Sequence, residues 1–536
     1  MTLATNALLA ALMASAAAAV TTARDIADFA DPLDPQLLTT RAPAFDGAFK
    51  LSATLQHQMV LQRAPAAAMV WGFAAAGTTV TTTFAGKTIT STAGNDTVWR
   101  AKLPPTPASA IPTTLSFQAS SGETATLDDV LFGDVYVCGG QSNMQFSVGG
   151  NENSAAYAAE ADKYPDIRLF TVGQKTSSKV PLLDLLTIEQ NWTAASGKAV
   201  VCHRPDGSLC VPFDYFSAVC WFFGKNVYDK LGGTVPIGLV SNNWGGTRVE
   251  QWTTPESTAH CGHNSTGELY NAMIVPYAVG PMAVSGFTWY QGESNLGGAS
   301  AGVAPWPNAN GNYSCTQTAM IEQWRKMFQV ESAFYAIVQL STWFADPQLL
   351  AELRDQQLVS MKTLKNFAYG TNADYGAGGN IHPPYKQHVG ERLANAAMAI
   401  VYDKPVNWRS PTYLSAKPGA KLGEVTVSLN DVLAAGLTLK PPFNARTAGN
   451  CRGQKAGTCA WASVQFDDAK KSWVRAVVGL SADKQGMTLS APAPAGAKAA
   501  IATSYGWGAV PMMTVYRADM EGEDGQLPVL TWNRAL

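Results

Sequence analysis

The chain has 536 residues, of which 46% are hydrophobic and 15% charged. That composition belongs to a well-packed globular protein too long for one core, and the length suggests about three domains. A net charge of −2 and a pI near 6.3 leave no basic footprint, so nucleic acid is not an expected partner.

The amino terminus reads as a secretory signal over residues 1–23. Residues 7–20 are apolar or small, too short to span a bilayer, and rich in alanine for an A-x-A type cleavage site. The n-region is charged only by its amine, since no Lys or Arg precedes Arg24. N-x-S/T sequons at Asn95, Asn191, Asn264 and Asn312 and an even count of 8 cysteines agree with a secreted or lysosomal location. Cys202 with Cys210, Cys451 with Cys459 and Cys261 with Cys315 are the expected disulfides. Cys138 and Cys220 lie in apolar runs and are expected to be buried thiols. No later segment reaches membrane-spanning length, and no C-x-x-C or H-x-x-x-H spacing suggests a metal.

Residues 24–128 are expected to form an amino-terminal β-rich domain. Alternating Thr, Val, Ile and Phe runs at 78–94 and 113–127 are punctuated by Gly, Asn and Ser. Over 129–405 the texture changes to short apolar runs alternating with helical stretches. The runs are at 130–139, 235–243, 284–292, 334–341 and 366–372, and the helical stretches at 216–231, 321–328, 349–364 and 386–403. Such alternation implies a parallel sheet with helices on both faces. Residues 406–536 return to β-rich, turn-rich sequence.

Ligands of an open parallel sheet bind beyond the carboxyl ends of its strands, and those ends carry the chemistry here. The first apolar run ends in Gly139-Gly140-Gln141-Ser142-Asn143, with a small polar side chain where a nucleophile would be held. Taken alone, Ser142 is as readily an ordinary strand-to-loop serine; the later strand ends give it partners. Serine attack on an ester needs a base, an orienter for the base and donors aimed at the oxyanion. Of 6 histidines, His382 stands at a strand-to-helix junction followed by Pro383-Pro384, which suit a first helical turn, and it is the candidate base. Candidate oxyanion donors are the N–H groups of Ser142, Gly245 or Gly246 and the amide of Gln291. Arg248 is placed to pair with a sugar carboxylate or with Glu250 or Glu293. Trp252 is a candidate stacking platform, and Trp289 a core residue. Glu293 is a candidate hydrogen-bonding group near the Gln291 loop. Arg354 reads as part of a solvated or interdomain face, and Glu391 and Arg392 as structural.

The blocks GQSNM, WGGTRVEQW, WYQGESN and IHPPYKQHVGERLA resemble, in order and spacing, the sialate O-acetylesterase family of SGNH-type hydrolases. The similarity extends to HQMVLQRAPAAAMVWGF near residue 57 and SYGWGAVP near 504, covering roughly residues 45–536. The resemblance implies an α/β fold, an SGNH-type three-layer sandwich with a central parallel sheet between β-rich flanking domains. It implies a cofactor-free serine esterase that removes O-acetyl groups from sialic acids, with no protein partner. Carried over, Ser142 is the nucleophile, His382 the base, and Gly246 and Gln291 oxyanion contributors. One departure stands out: where many members read D-I-H-P, this chain has Asn380-Ile381-His382-Pro383. Asp374, eight residues before His382, is therefore the expected orienter, with Asn380 or a backbone carbonyl as the alternative. The competing functions are the same chemistry on another acetylated polysaccharide such as xylan, and a degenerate member that binds glycans without turnover.

Overall fold

The computed structural model describes residues 38–40, 45–201, 212–296, 312–447, 457–519 and 526–536. Its centre is a sheet whose strands are β1 (Thr124–Gly140), β2 (Ile167–Val172), β3 (Ile188–Ala194), β4 (Ile237–Asn243), β5 (Gly286–Tyr290), β6 (Phe334–Gln339) and β7 (Phe367–Thr371). They lie side by side as β3-β2-β4-β1-β5-β6-β7. All neighbours are parallel except the β2–β3 edge pair. From Val130 onward β1 is buried at every residue, as are β4 to β7. Continuous apolar runs rather than alternation are what a sheet covered on both faces requires.

The covering helices include α1 (Ser142–Gln145), α2 (Ala218–Lys230), α3 (Tyr313–Met327), α4 (Pro347–Gln357) and α5 (Gln387–Ile400). Their starts follow capping chemistry. Ser217 Oγ accepts from Cys220 N at 3.1 Å. Asp346 Oδ1 accepts from Gln348 and Leu349 N–H at 3.0 and 3.2 Å, with Pro347 in the first turn. Helices α2 and α5 pack closely because Gly390 has no side chain; a Cβ there would lie 2.5 Å from Phe222 Cβ.

The same sheet continues into the amino-terminal β region. The first half of β1 pairs with Ser109–Ala119, and Val60–Gln62 runs parallel to Leu131–Gly133. The boundary expected at 128/129 thus falls inside one strand. At the other end of the chain, a seven-stranded antiparallel sheet closes over a second apolar cluster that includes Val427, Phe466, Tyr505 and Trp532. Two sealed arginines fasten it to the central sheet. Arg354 donates to the carbonyls of Leu340, Ser341, Gly508 and Ala509. Arg392 reaches Gln526 O from α5. Arg354 is therefore interdomain but not solvated.

Cys261–Cys315 is a disulfide, as expected. Cys138 and Cys220 are not thiols: they are joined to each other, tying β1 to α2. Both sulfurs are buried in apolar surroundings, which hid the pairing in the sequence. Cys459 is disulfide-bonded; Cys451, Cys202 and Cys210 lie outside the described residues. No described helix is long and apolar enough to cross a membrane.

Candidate active site

In chain order β1 takes the middle of the sheet, and its carboxyl end is flanked by those of β4 and β5. The strand order reverses there, which is where sheets of this kind bind ligands. Gly140 ends β1 at φ +144° beside β5, where a Cβ would meet Tyr290 O at 2.1 Å. Only glycine fits this close approach. Two residues on, Ser142 begins the four-residue helix α1.

His382 arrives from the loop after β7, three strands away, and its Nε2 lies 2.8 Å from Ser142 Oγ. Both side chains are buried, at 2% and 3% exposure. The Phe213 ring packs edge-on against the imidazole, with centroids 4.7 Å apart. Burial first, and the neighbouring Lys386 charge second, push the His382 pKa down to about 3. The imidazole is therefore neutral at physiological pH, the state a general base needs. Asn380 Oδ1 accepts from the backbone N–H of His382 at 2.9 Å, so Asn380 shapes the loop that carries the ring.

Asp374 is placed elsewhere. Its oxygens accept from Arg392 Nη1 and Nη2 at 2.7 and 2.8 Å, and Oδ2 also accepts from Tyr516 OH at 3.2 Å. The expected orienter is thus engaged in joining α5 and the carboxyl-terminal β region. Gln291 is also committed: its Nε2 donates to Asn295 Oδ1 at 2.7 Å, Thr247 O at 3.0 Å and Gln141 Oε1 at 3.1 Å. It braces the strand-end loops rather than aiming at an oxyanion. Gly245 N–H goes to Gln145 Oε1 at 2.7 Å. Gly246 is different: it is solvent-exposed at φ +75°.

Trp252 is 0% exposed, stands edge-on to Trp289 and donates its indole N–H to Thr247 Oγ1. It is core, not a sugar platform. Arg248 is half-buried just past Gly246. Glu293 is buried and accepts from Asn143 Nδ2 at 2.5 Å; desolvation holds its carboxyl above the usual range.

Two residues escaped the sequence reading. Asn143 Nδ2 also donates to Ile381 O at 2.8 Å, and its Oδ1 accepts from Lys386 Nζ at 2.5 Å. Both stand inside the GQSNM and IHPPYK blocks, one adjacent to Ser142 and the other four residues after His382, just ahead of α5, which begins at Gln387 rather than at the prolines. A lysine so placed reads as exposed until burial is known.

A parallel α/β sheet with a serine–imidazole contact at its central strand end, and no charge on the imidazole, is the architecture of a serine ester hydrolase. The profile of the family described as "Carbohydrate esterase, sialic acid-specific acetylesterase" matches residues 132–399. The sialate O-acetylesterases of Pongo abelii and Homo sapiens are each 32% identical over 406 residues, covering 68% of this chain and 73% of theirs. That of Rattus norvegicus is 30% identical over 453 residues, covering 71% and 79%. A carbohydrate acetylesterase from Xanthomonas citri superposes with a TM-score of 0.72 at 26% identity, over 90% of this chain and 99% of that one. The chain belongs to the sialic acid-specific acetylesterase family of carbohydrate esterases and is a carboxylic-ester hydrolase.

Proposed function

We propose that this enzyme removes O-acetyl groups from sialic acids through an acetyl-enzyme formed on Ser142. The observation that carries the reading is the 2.8 Å contact between Ser142 Oγ and His382 Nε2. Ser142 Oγ attacks the acetyl carbonyl carbon, its proton passing to His382 Nε2, and the carbonyl π pair moves onto oxygen. The N–H groups of Ser142, at the start of α1, and of exposed Gly246 are the donors for that oxyanion. The sugar oxygen departs with the proton from Nε2. Water then attacks the acetyl carbon, gives its proton to Nε2, and acetate leaves as Ser142 Oγ recovers it. Burial and the Lys386 charge leave this base uncharged in its resting state.

Arg248 supplies the specificity for an acidic sugar, pairing with the sialate carboxylate. The finer fold is the SGNH-type sandwich. A secreted or lysosomal location is supported by the disulfides and by sequons Asn95, Asn191 and Asn264, all exposed.

The test is acetate release from O-acetylated sialic acid beside acetylated xylan, for wild type, Ser142→Ala and Arg248→Ala. Turnover of the sialic ester should fall about 10⁴-fold or more in Ser142→Ala. Arg248→Ala should lose the acidic substrate and keep neutral acetyl esters. Equal rates for wild type and Ser142→Ala would reduce the protein to a glycan binder. A preference for xylan unaffected at Arg248 would overturn the sialate assignment.

A further inference from the structure

We infer that Lys386 is a positioning residue of this site, which through Asn143 holds the turn after Ser142 against the turn before His382. The inference rests on the proposed Ser142–His382 reading and concerns a residue that makes no contact with the reacting atoms.

Lys386 Nζ donates to Asn143 Oδ1, and Asn143 Nδ2 in turn donates to Ile381 O at 2.8 Å and to Glu293 Oε1. Asn143 follows the nucleophile and Ile381 precedes the base, so one amide side chain spans the two segments whose separation sets the 2.8 Å contact. The lysine fixes which way that amide faces: with the ammonium on Oδ1, the NH₂ group must point at Ile381 O and Glu293. The lysine is itself anchored, its backbone N–H donating to Asn151 Oδ1 at 3.0 Å. Its ammonium lies 4.9 Å from the Phe146 ring centre and 5.4 Å from that of Tyr290.

The side chain is 0% exposed. Lysine is almost never fully buried unless paired, and a buried ammonium opposes folding. An apolar side chain would fill this space at less cost, so the charge is retained for what it does to its neighbours. The titratable groups facing it are Tyr290, Glu293 and His382. Burial pushes Lys386 down to about 7, while Glu293 acts in the opposite direction. Burial keeps the Tyr290 hydroxyl neutral. The ammonium adds to burial in keeping the His382 ring unprotonated.

The experiment compares Lys386→Met, Lys386→Gln, Asn143→Ala and the Asn143→Ala/Lys386→Met double variant, using p-nitrophenyl acetate across pH, with thermal melts and Ser142→Ala as control. Lys386→Met should melt no lower than wild type below pH 7 and lose roughly 10- to 100-fold in kcat with KM little changed. The acid limb of kcat/KM should move upward by about one pH unit, because the imidazole loses a like charge. The double variant should lose no more than the worse single one, since both cut the same link. Folded Lys386→Met or Lys386→Gln with kcat within twofold of wild type and an unmoved acid limb would overturn the inference. So would multiplicative losses, or failure of both lysine variants to fold, which would make the residue structural. If Ser142→Ala keeps wild-type turnover, the reading of the site itself is wrong. If Ser142→Ala is silent and Lys386→Met is fully active, only the lysine inference fails.

Discussion

Asp374 and Arg392 face each other as a two-pronged pair, 2.7 and 2.8 Å at the two prongs, with side chains 1% and 0% exposed. Arg392 also donates to Thr371 O, at the end of β7, and to Gln526 O. The pair therefore fastens the start of the histidine loop to the carboxyl-terminal β region. Breaking a buried pair from one side leaves the other charge uncompensated, at a cost of about 3–5 kcal/mol. Asp374→Asn should lower the melting temperature markedly while turnover per titrated active site stays within about threefold. Thermal denaturation beside active-site titration decides it. An unchanged melt with a collapsed rate would return Asp374 to the role of orienter.

The buried imidazole makes a signed prediction about acid. An unfolded His takes a proton below about pH 6.5, whereas folded His382 holds out to about 3. Between those values the unfolded state binds more protons, so stability rises with pH and is lost as pH falls through the window. Lys386 acts in the same direction higher up, between its ordinary 10.5 and about 7, with its full burden present below 7. Activity per folded molecule should therefore hold level well below pH 6, its acid limb set by protonation of His382. A kcat/KM profile with parallel melts would show it. An acid limb near 6.5 in a fully folded enzyme would mean a solvated ring.

The parts of this fold that were legible are those where one physical signal dominates. The five apolar runs that became β1, β4, β5, β6 and β7 are buried on both faces, so their sequences carry the signature themselves. Strand β3 was not legible: its residues Ile188 to Ala194 alternate between buried and exposed and pair at the sheet edge. Ser142 and His382 could be singled out because paired glycines come just before the serine and paired prolines just after the histidine. Asp374 was misjudged because sequence nearness to the histidine says nothing of where a carboxylate turns, and Arg392, 18 residues on, competes for it. Trp252 could not be told from a sugar platform without its neighbours Trp289 and Trp324. Gln291 likewise looked like a free donor until its three acceptors were in place.

Gly140 offers a test of how tightly Ser142, the proposed nucleophile, is placed. An alanine there would drive its Cβ into Tyr290 O, 2.1 Å away, at a φ of +144° that side chains avoid. The ends of β1 and β5 would have to separate, carrying Ser142 from His382 by several tenths of an ångström or more. Misplacement by about 1 Å costs about 10²-fold in rate. Gly140→Ala should lose about that much kcat in whatever fraction folds. Retention of near-wild-type kcat would show that the turn tolerates a shift without moving the serine.

The Cys138–Cys220 bond lies four residues before Ser142 and closes a span of 82 residues. In the chain-entropy account a loop of that size stabilises by about 4 kcal/mol. It also holds α2, whose capping residue Ser217 donates from Oγ to Met144 Sδ in α1, the helix that Ser142 begins. The paired substitution Cys138→Ala/Cys220→Ala should therefore lower the melting temperature and shorten the half-life at elevated temperature. The initial rate at low temperature should change little, because Asn143, Ile381 and Lys386 still hold the serine and the histidine together. Both sulfurs belong to residues with 0% exposure, so mild reductant should leave the native enzyme active and accelerate inactivation only when heat opens the fold. Immediate loss of activity on reduction at low temperature would instead make this bond part of the working geometry.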